Sequence, residues 1–394
     1  MRRIKVLQLI SSMGFYGAEN VLATLAANMG TDFEPLIGIV DNRDNSHLEL
    51  AAFAREHALT SMVFPCRSAI DADFFRSLHK FILNNHIDIV HSHGYKSDFY
   101  ARMAAGKTNV AVVATCHPWI ISNWRGALYA KIDRLNLRSF TKIAAVSKSV
   151  MRKLRQAGIQ EEKISLIHNG IDLARFTNHL NIQQSRIKFD LAPRKCIIGS
   201  IGRLDPEKGH IHLVEAAAQI HKLHPDIAFA IAGTGSLQEH LVRRTLETGS
   251  SAFFAFPGFV KEISAFLAAI DIFVLPSLTE GMPMALLEAL ASKKPVIASA
   301  VGDIGEVIES GKSGLLIPPG DTQALVRALD QLLTHPDRAN DLAETGYQRV
   351  RDHFSARCMS SKYGELYDRA LADRRPRSGS DQKTRSMHRK EVGT

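Results

Sequence analysis

The stretch Leu275-Pro276-Ser277-Leu278-Thr279-Glu280-Gly281-Met282-Pro283-Met284-Ala285-Leu286-Leu287-Glu288-Ala289-Leu290 decides how the chain folds. An apolar strand closes at Leu275, a polar loop follows, and a helix opens near Pro283 or Met284. Proline suits a helix's first position, because its missing N–H would be unpaired there anyway. The free N–H groups of the first turn and the positive end of the helix dipole then face outward at the strand's C-terminal edge. That is a ready site for phosphate. Glu280 sits just before the helix and Glu288 one turn inside it. Like charge keeps both carboxylates off a phosphate, so they read as acceptors for sugar hydroxyls. The competing reading is an acidic cap and an ordinary surface Glu.

The alternation of short apolar runs with longer helical patterns extends along the chain. Strands are expected at 5–10, 35–40, 61–64, 89–91, 110–114, 142–146 and 164–167, and again at 196–201, 228–232, 253–256, 272–275, 296–298 and 314–317. Helical stretches fall between them, for example at 18–29, 74–85, 149–157, 210–222 and 284–292. Such alternation argues for parallel sheets with helices on both faces. His168-Asn169-Gly170-Ile171-Asp172 carries a turn signal, and a polar segment over 178–188 follows it. The expected domains are therefore 1–178 and 189–352. A last helix is expected over 353–372, with Phe354, Cys358, Tyr363, Leu366, Tyr367 and Leu371 at helical intervals, followed by a basic, disordered tail over 373–394.

Three more strand-end loops carry candidate chemistry. In Gly202-Arg203-Leu204-Asp205-Pro206-Glu207-Lys208-Gly209, Arg203 offers a bidentate fork and Lys208 a compact charge, both suited to phosphate oxygens. A solvated loop is the plain alternative. Ile231-Ala232-Gly233-Thr234-Gly235-Ser236-Leu237-Gln238 starts like a dinucleotide fingerprint, but Gln238 replaces the third glycine. It reads as a nucleotide-lining turn or as a packing turn. Ser11-Ser12-Met13-Gly14-Phe15-Tyr16-Gly17-Ala18-Glu19 follows the first strand and lets a ligand approach the backbone, or simply turns the chain. His91, His93 and His117 all stand at strand ends, where open α/β sheets bind ligands. A lone histidine there is more often a satisfied polar group than a catalyst.

Composition sets outer bounds. The 394 residues are 45% hydrophobic and 23% charged, with a mean hydropathy of −0.07, which is ordinary for a globular chain. Cys66, Cys116, Cys196 and Cys358 show no metal-ligand spacing, and free thiols in a reducing compartment are expected. The apolar run after Arg2 and Arg3 is too short for a leader and is broken by Gln8. No stretch has the length of a membrane span. The formal net charge is +9 and is unevenly placed: residues 122–155 hold nine Lys and Arg against Asp133 alone, and 373–394 are also basic. No recognition motif for nucleic acid accompanies this charge.

Taken together, Glu280 with Glu288 in Ser-Leu-Thr-Glu-Gly-Met-Pro-x-x-Leu-Leu-Glu-Ala resembles the signature of the retaining family 4 glycosyltransferases. The loop at 202–209 resembles their diphosphate loop, 168–172 their interdomain junction, and Gly17-Ala18-Glu19 their N-terminal glycine loop. The resemblance implies a GT-B fold: two Rossmann-like doubly wound domains facing a central cleft, with the C-terminal helix crossing back. It implies an N-terminal acceptor domain and a C-terminal domain for the nucleotide-sugar donor. By the same resemblance Arg203 and Lys208 bind the donor diphosphate, and Glu280 holds the donor sugar. The main chain of Gly281, Pro283, Met284, Ala285 and Leu286 assists, Glu288 holds the ribose, and the base packs near Gly258, Phe259 and Val260. Gly17 lies against the phosphate and His117 near the reacting sugar. Tyr16 departs from the paired glycines usual in the family. The implied reaction is hexosyl transfer with retention to a saccharide or lipid-linked saccharide, in cell-surface polysaccharide or glycolipid synthesis. No cofactor and no metal are expected.

The basic stretch 122–155 is read either as a solvated surface or as a contact for anionic lipid headgroups. In the second reading Trp119 and Trp124 seat at the interface and Arg125, Arg134 and Arg138 supply charge. The expected location is cytoplasmic, with a peripheral place on the inner face of the plasma membrane as the membrane-bound option. Two other activities compete: a nucleotide-sugar epimerase of similar fold, and a non-catalytic nucleotide-sugar-binding protein. The intact Glu280 and Glu288 argue against the first, and the retained Arg203, Lys208 and Glu280 against the second.

Overall fold

The computed structural model describes residues 2–11, 14, 17–42, 48–68, 70–106, 108–117, 124–177, 180–191 and 194–374, without the side chains of 124, 125 and 127. The tail beyond 374 and Tyr16 therefore lie outside the described residues. The chain divides into two compact units. The first holds residues up to Ala145, Val150–Ile167 and the chain from Ser361 onward; the second holds Val146–Ser149 and His168–Ser360.

In the first unit the elements run β1 (Ile4–Ser11), α1 (Gly17–Ala27), β2 (Phe33–Asn42), α2 (Glu49–Glu56), β3 (Thr60–Cys66) and α3 (Ala72–Asn84). They continue with β4 (Ile89–His93), α4 (Tyr95–Ala105), β5 (Ala111–Cys116), α5 (Trp124–Leu137), β6 (Lys142–Ala145), α6 (Lys148–Gln156, whose first two residues group with the second unit) and β7 (Ile164–Leu166). The seven strands form one sheet in the order β3-β2-β1-β4-β5-β6-β7, and every neighbouring pair is parallel. The central strands are buried throughout, as a sheet covered on both faces requires.

The second unit runs α7 (Ala174–Thr177), α8 (Ile182–Lys188), β8 (Cys196–Ile201), α9 (His210–Leu223), β9 (Ile227–Ala232), α10 (Gln238–Glu247), β10 (Phe254–Gly258) and α11 (Ile263–Ala269). It continues with β11 (Ile272–Leu275), α12 (Met284–Ala291), β12 (Val296–Ser299), α13 (Ile304–Val307), β13 (Leu315–Ile317), α14 (Thr322–Thr334) and α15 (Pro336–His353). Its six strands are ordered β10-β9-β8-β11-β12-β13, again all parallel. One face packs Phe266, Phe273, Leu286 and Leu290; the other packs Leu213, Ile220, Leu325 and Leu329. Both units are thus doubly wound and Rossmann-like, as the alternation in the sequence implies.

The last helix, α16 (Ala356–Arg374), begins in the second unit, and from Ser361 its residues pack in the first. It starts later than the expected 353 because Ser355 is held in an extended bridge to Ile171. Ile171 N–H donates to Phe354 O (2.8 Å), and Ala356 N–H donates to Ile171 O (2.8 Å). Gly170 is required beside this bridge: an added Cβ would stand 2.7 Å from both Ser355 O and Met359 Cβ.

Candidate active site

In the second sheet, β8 lies between β9 and β11, so the chain order reverses around it. Loops leaving the C-terminal ends of β8 and β11 are neighbours at this switch, where open α/β sheets take their ligands. The first loop delivers Lys208 and the second Glu280. Lys208 Nζ stands 2.7 Å from Glu280 Oε1, and Ser277 Oγ donates to the same oxygen at 2.7 Å. The Lys208 side chain is 21% exposed and that of Glu280 only 7%. Two donors fill Oε1, while no described residue bonds Oε2. The loops are clipped together by the N–H groups of Leu278 and Thr279, which both donate to Glu207 O at 2.8 and 3.3 Å.

Arg203 is not brought to this pair. Its guanidinium, 65% exposed, holds Asp205 Oδ2 at 2.6 Å and Glu207 Oε1 at 2.5 Å. The other Asp205 oxygen accepts from the N–H and Oγ of Ser236 at 3.1 and 2.9 Å, and those bonds keep this carboxyl below its usual range. Asp205 thereby ties the loop after β8 to the loop after β9. A Cβ on Gly233 would fall 1.8 Å from Gly202 O, so that glycine is demanded by backbone contact. Of the two readings of Gly233-Thr234-Gly235, these contacts support the packing turn.

Helix α12 begins at Met284, with Pro283 as its N-cap at φ −74° and ψ 119° rather than as its first helical residue. Its first-turn amides include the orphan donors of any helix start, and Leu286 N–H turns back to Pro283 O at 3.2 Å. Glu288 is buried, so the reading of an ordinary surface Glu fails. Burial pushes its carboxyl up to about 7, against the opposing charge of Arg175. Gly281 is partly buried, while Met284 and Ala285 line the exposed-to-core boundary and Leu286 is in the core. Gly258 closes β10, Phe259 is 72% exposed, and Val260 is partly buried. Residues not singled out from sequence also gather here. Ser277 has just been described; Asp303, 4% exposed, donates its N–H to Gly281 O (3.2 Å) and keeps Oδ2 without a partner. His210 lies beside Gly202, and burial followed by the charge of Lys208 pushes it down to about 4. Ser277 stood inside the quoted motif; nothing marked Asp303 or His210.

In the first sheet the order reverses at β1, between β2 and β4. Gly17 opens α1 there, and a Cβ added to it would meet nothing within 4 Å, so local packing does not demand the glycine. His117 follows β5. It is partly buried, its Nε2 is enclosed without a partner, and burial pushes it down to about 4, so the ring is neutral at pH 7. His91 and His93 belong to a buried hydrogen-bond chain. The register sets Gln8 opposite His91 and His93 opposite Thr115. Burial, aided by neighbouring histidines, pushes His91 down to about 3 and His93 well below its usual value, so both are neutral. One donor direction then runs through the chain: His93 Nε2–H to Gln8 Oε1 (3.0 Å), Gln8 Nε2–H to Tyr367 OH (2.9 Å), and Tyr367 O–H to His91 Nδ1 (2.8 Å). His91 Nε2–H donates onward to Thr115 Oγ1 (2.8 Å), which meets Tyr363 OH at 2.6 Å. His91 is a satisfied polar group that anchors α16.

Of the basic side, Trp119 lies outside the described residues, as do the side chains of Trp124 and Arg125. Arg134 is partly buried; Arg138 is exposed and donates to Ala157 O at 3.2 and 2.8 Å. Among the described residues no group of three His, Cys, Asp or Glu is placed to hold a metal ion, and no helix is long and apolar enough to cross a membrane.

Two family models match the chain. Glycosyltransferase Family 4 covers residues 16–175, and Glycosyl transferases group 1 covers residues 181–349. The chain belongs to the retaining family 4 glycosyltransferases. Among the relatives of this glycosyltransferase is the UDP-Gal:alpha-D-GlcNAc-diphosphoundecaprenol alpha-1,3-galactosyltransferase of Escherichia coli. It is 29% identical over 303 residues, which are 74% of this chain and 78% of the relative. The putative glycosyltransferase EpsD of Bacillus subtilis is 28% identical over 72% of this chain and 77% of its own. Among solved structures, Anabaena HepE in complex with UDP aligns with a TM-score of 0.80 at 21% identity, over 93% of this chain and 100% of that one. The fold is that of the GT-B glycosyltransferases, as the sequence motifs imply.

Proposed function

We propose that this glycosyltransferase takes a hexosyl group from a nucleoside diphosphate sugar held by its second unit and passes it, with retention, to a saccharide or lipid-linked saccharide. The observation that carries the donor assignment is the Lys208–Glu280 pair at the β8/β11 switch. Glu280 Oε1 is taken by Ser277 and Lys208, which leaves Oε2 for hydroxyls of the donor sugar. Lys208 turns from Glu280 toward the diphosphate when the donor arrives, joined by Arg203 and the first-turn amides of α12. Arg203 must first leave Asp205 and Glu207, a small cost because exposed ion pairs contribute roughly 0–1 kcal/mol. These groups face charge that grows on the leaving diphosphate, which is preorganised stabilisation of the transition state. The leaving phosphate accepts the proton of the acceptor hydroxyl. Glu288 receives the ribose, and the base packs near Gly258–Val260. On the first unit, Gly17 gives the phosphate room and neutral His117 contacts the sugar by hydrogen bonding rather than by charge. No metal enters this reading.

The lipid-linked acceptor is supported by the E. coli relative, whose name specifies a diphosphoundecaprenol acceptor. Together with the basic stretch 122–155 it supports the reading of an enzyme that works at the cytoplasmic face of a membrane, in cell-surface polysaccharide or glycolipid synthesis. The test is a panel of UDP-, GDP- and ADP-sugars with membrane lipid extract. One donor should be consumed with sugar appearing in lipid, and slowly hydrolysed without acceptor. Lys208→Ala and Glu280→Ala should each slow turnover by about 10²-fold or more. Unchanged turnover in both variants would remove the site assignment.

A further inference from the structure

Helix α5 carries an apolar stripe on its outer side, while its buried side holds Ala130, Asp133, Asn136 and Leu137. Ala130 and Leu137 are buried in the first unit. Leu128, Tyr129, Ile132 and Leu135 point the other way, 48%, 50%, 45% and 54% exposed. Their spacing of i, i+1, i+4 and i+7 makes one continuous stripe on the helix surface. Single exposed apolar residues need no explanation, but a contiguous stripe marks an interaction surface. By register, position 124 falls four residues before Leu128 on the same line.

The electrostatics select the partner. Residues 122–155 hold nine Lys and Arg and one carboxylate, Asp133, which is buried at 4% exposure. Three of the nine are engaged by carboxylates from outside the segment: Lys142, itself buried, by Asp373, Lys148 by Glu306 and Arg155 by Glu161. Lys131 within the helix and Arg138 just beyond it are exposed and pair with no carboxylate among the described residues. A second copy of the chain would bring the same positive field against this one. An anionic lipid surface meets both features, since it takes apolar side chains below and cations at its headgroups.

We propose that α5 lies in the interface of an anionic bilayer, with Leu128, Tyr129, Ile132 and Leu135 among the acyl chains and Lys131 and Arg138 at headgroup level. The proposal deepens the reading of a lipid-linked acceptor and rests on it. It is tested by flotation of the full chain with vesicles of phosphatidylcholine alone and of phosphatidylcholine mixed with phosphatidylglycerol. The parent should float with the mixed vesicles. Replacing Leu128, Ile132 and Leu135 together by Ser should weaken partitioning by about 100-fold. Lys131→Glu should weaken it about tenfold at low salt and much less at high salt. Leu135→Ser alone is the check if the triple variant fails to fold. Hydrolysis of the nucleotide sugar without vesicles should be unchanged in all these variants.

The proposal is overturned if the serine variants float as well as the parent, or if salt alone releases the parent fully. It is also overturned if the parent is a dimer in light scattering that the serine changes split. Loss of donor hydrolysis in the parent itself would count against the proposed reaction, not against the lipid contact.

Discussion

Lys208 and Glu280 are 72 positions apart and meet at 2.7 Å. Each was legible in the sequence as a charged residue on a strand-end loop, but their pairing was not, because it depends on β8 lying beside β11. Glu288 shows a similar limit. One turn into a helix, a Glu is ordinarily solvated; here α12 is sunk into the core and the carboxyl with it. Burial holds its folded value at about 7, above the ordinary 4.5. Between those values the folded chain binds more protons than the unfolded one, so this group's contribution to stability falls as pH rises from 4.5 to 7. Glu288→Gln removes that slope. Unfolding curves for parent and variant should nearly coincide below the window. Above it the variant gains on the parent by on the order of 3 kcal/mol. A constant difference across the window would show that the carboxyl is not protonated in the fold.

At the level of elements, every expected strand is present near its expected position, because strands buried on both faces read as unbroken apolar runs. Helices with mixed patterns were harder. The polar segment over 178–188 contains α8, capped by the Asn181 side chain on Gln184 N–H at 3.1 Å, yet its Ile187 is 77% exposed and gives no amphipathic signal. Helix α16 announced its apolar face through Tyr363, Leu366 and Tyr367, but not the hydroxyl contacts at the end of the two tyrosines. The Tyr367 hydroxyl joins Gln8 to His91 inside a region without solvent. Tyr367→Phe leaves both partners short of a bond, and each such orphan costs about 1–3 kcal/mol. Denaturant unfolding should therefore show a loss of about 2–6 kcal/mol with the fold retained. A change under 0.5 kcal/mol would mean that the chain of hydrogen bonds contributes little to stability.

Across the whole molecule, the two sheets use one plan: the first strand of each lies inside, and later strands are added to both sides of it. That plan follows from alternating strands and helices and was legible. The membership of the last helix was not legible from periodicity, since an amphipathic helix does not name the surface it covers; only the family resemblance indicated it. Residues 361–374 complete the core of the first unit, although nearly two hundred residues of the second come before them in the chain. The order of synthesis is thus at odds with the order of assembly. While the ribosome is still making the second unit, Gln8, His91 and Thr115 are already made but lack the tyrosines that satisfy them. A chain stopped after Ser360 should leave its N-terminal half sensitive to protease while the second unit stays protected, as limited proteolysis with mass spectrometry would show. The nascent enzyme's early half is left waiting for its own C-terminus, and that wait is where chaperones would be expected to act.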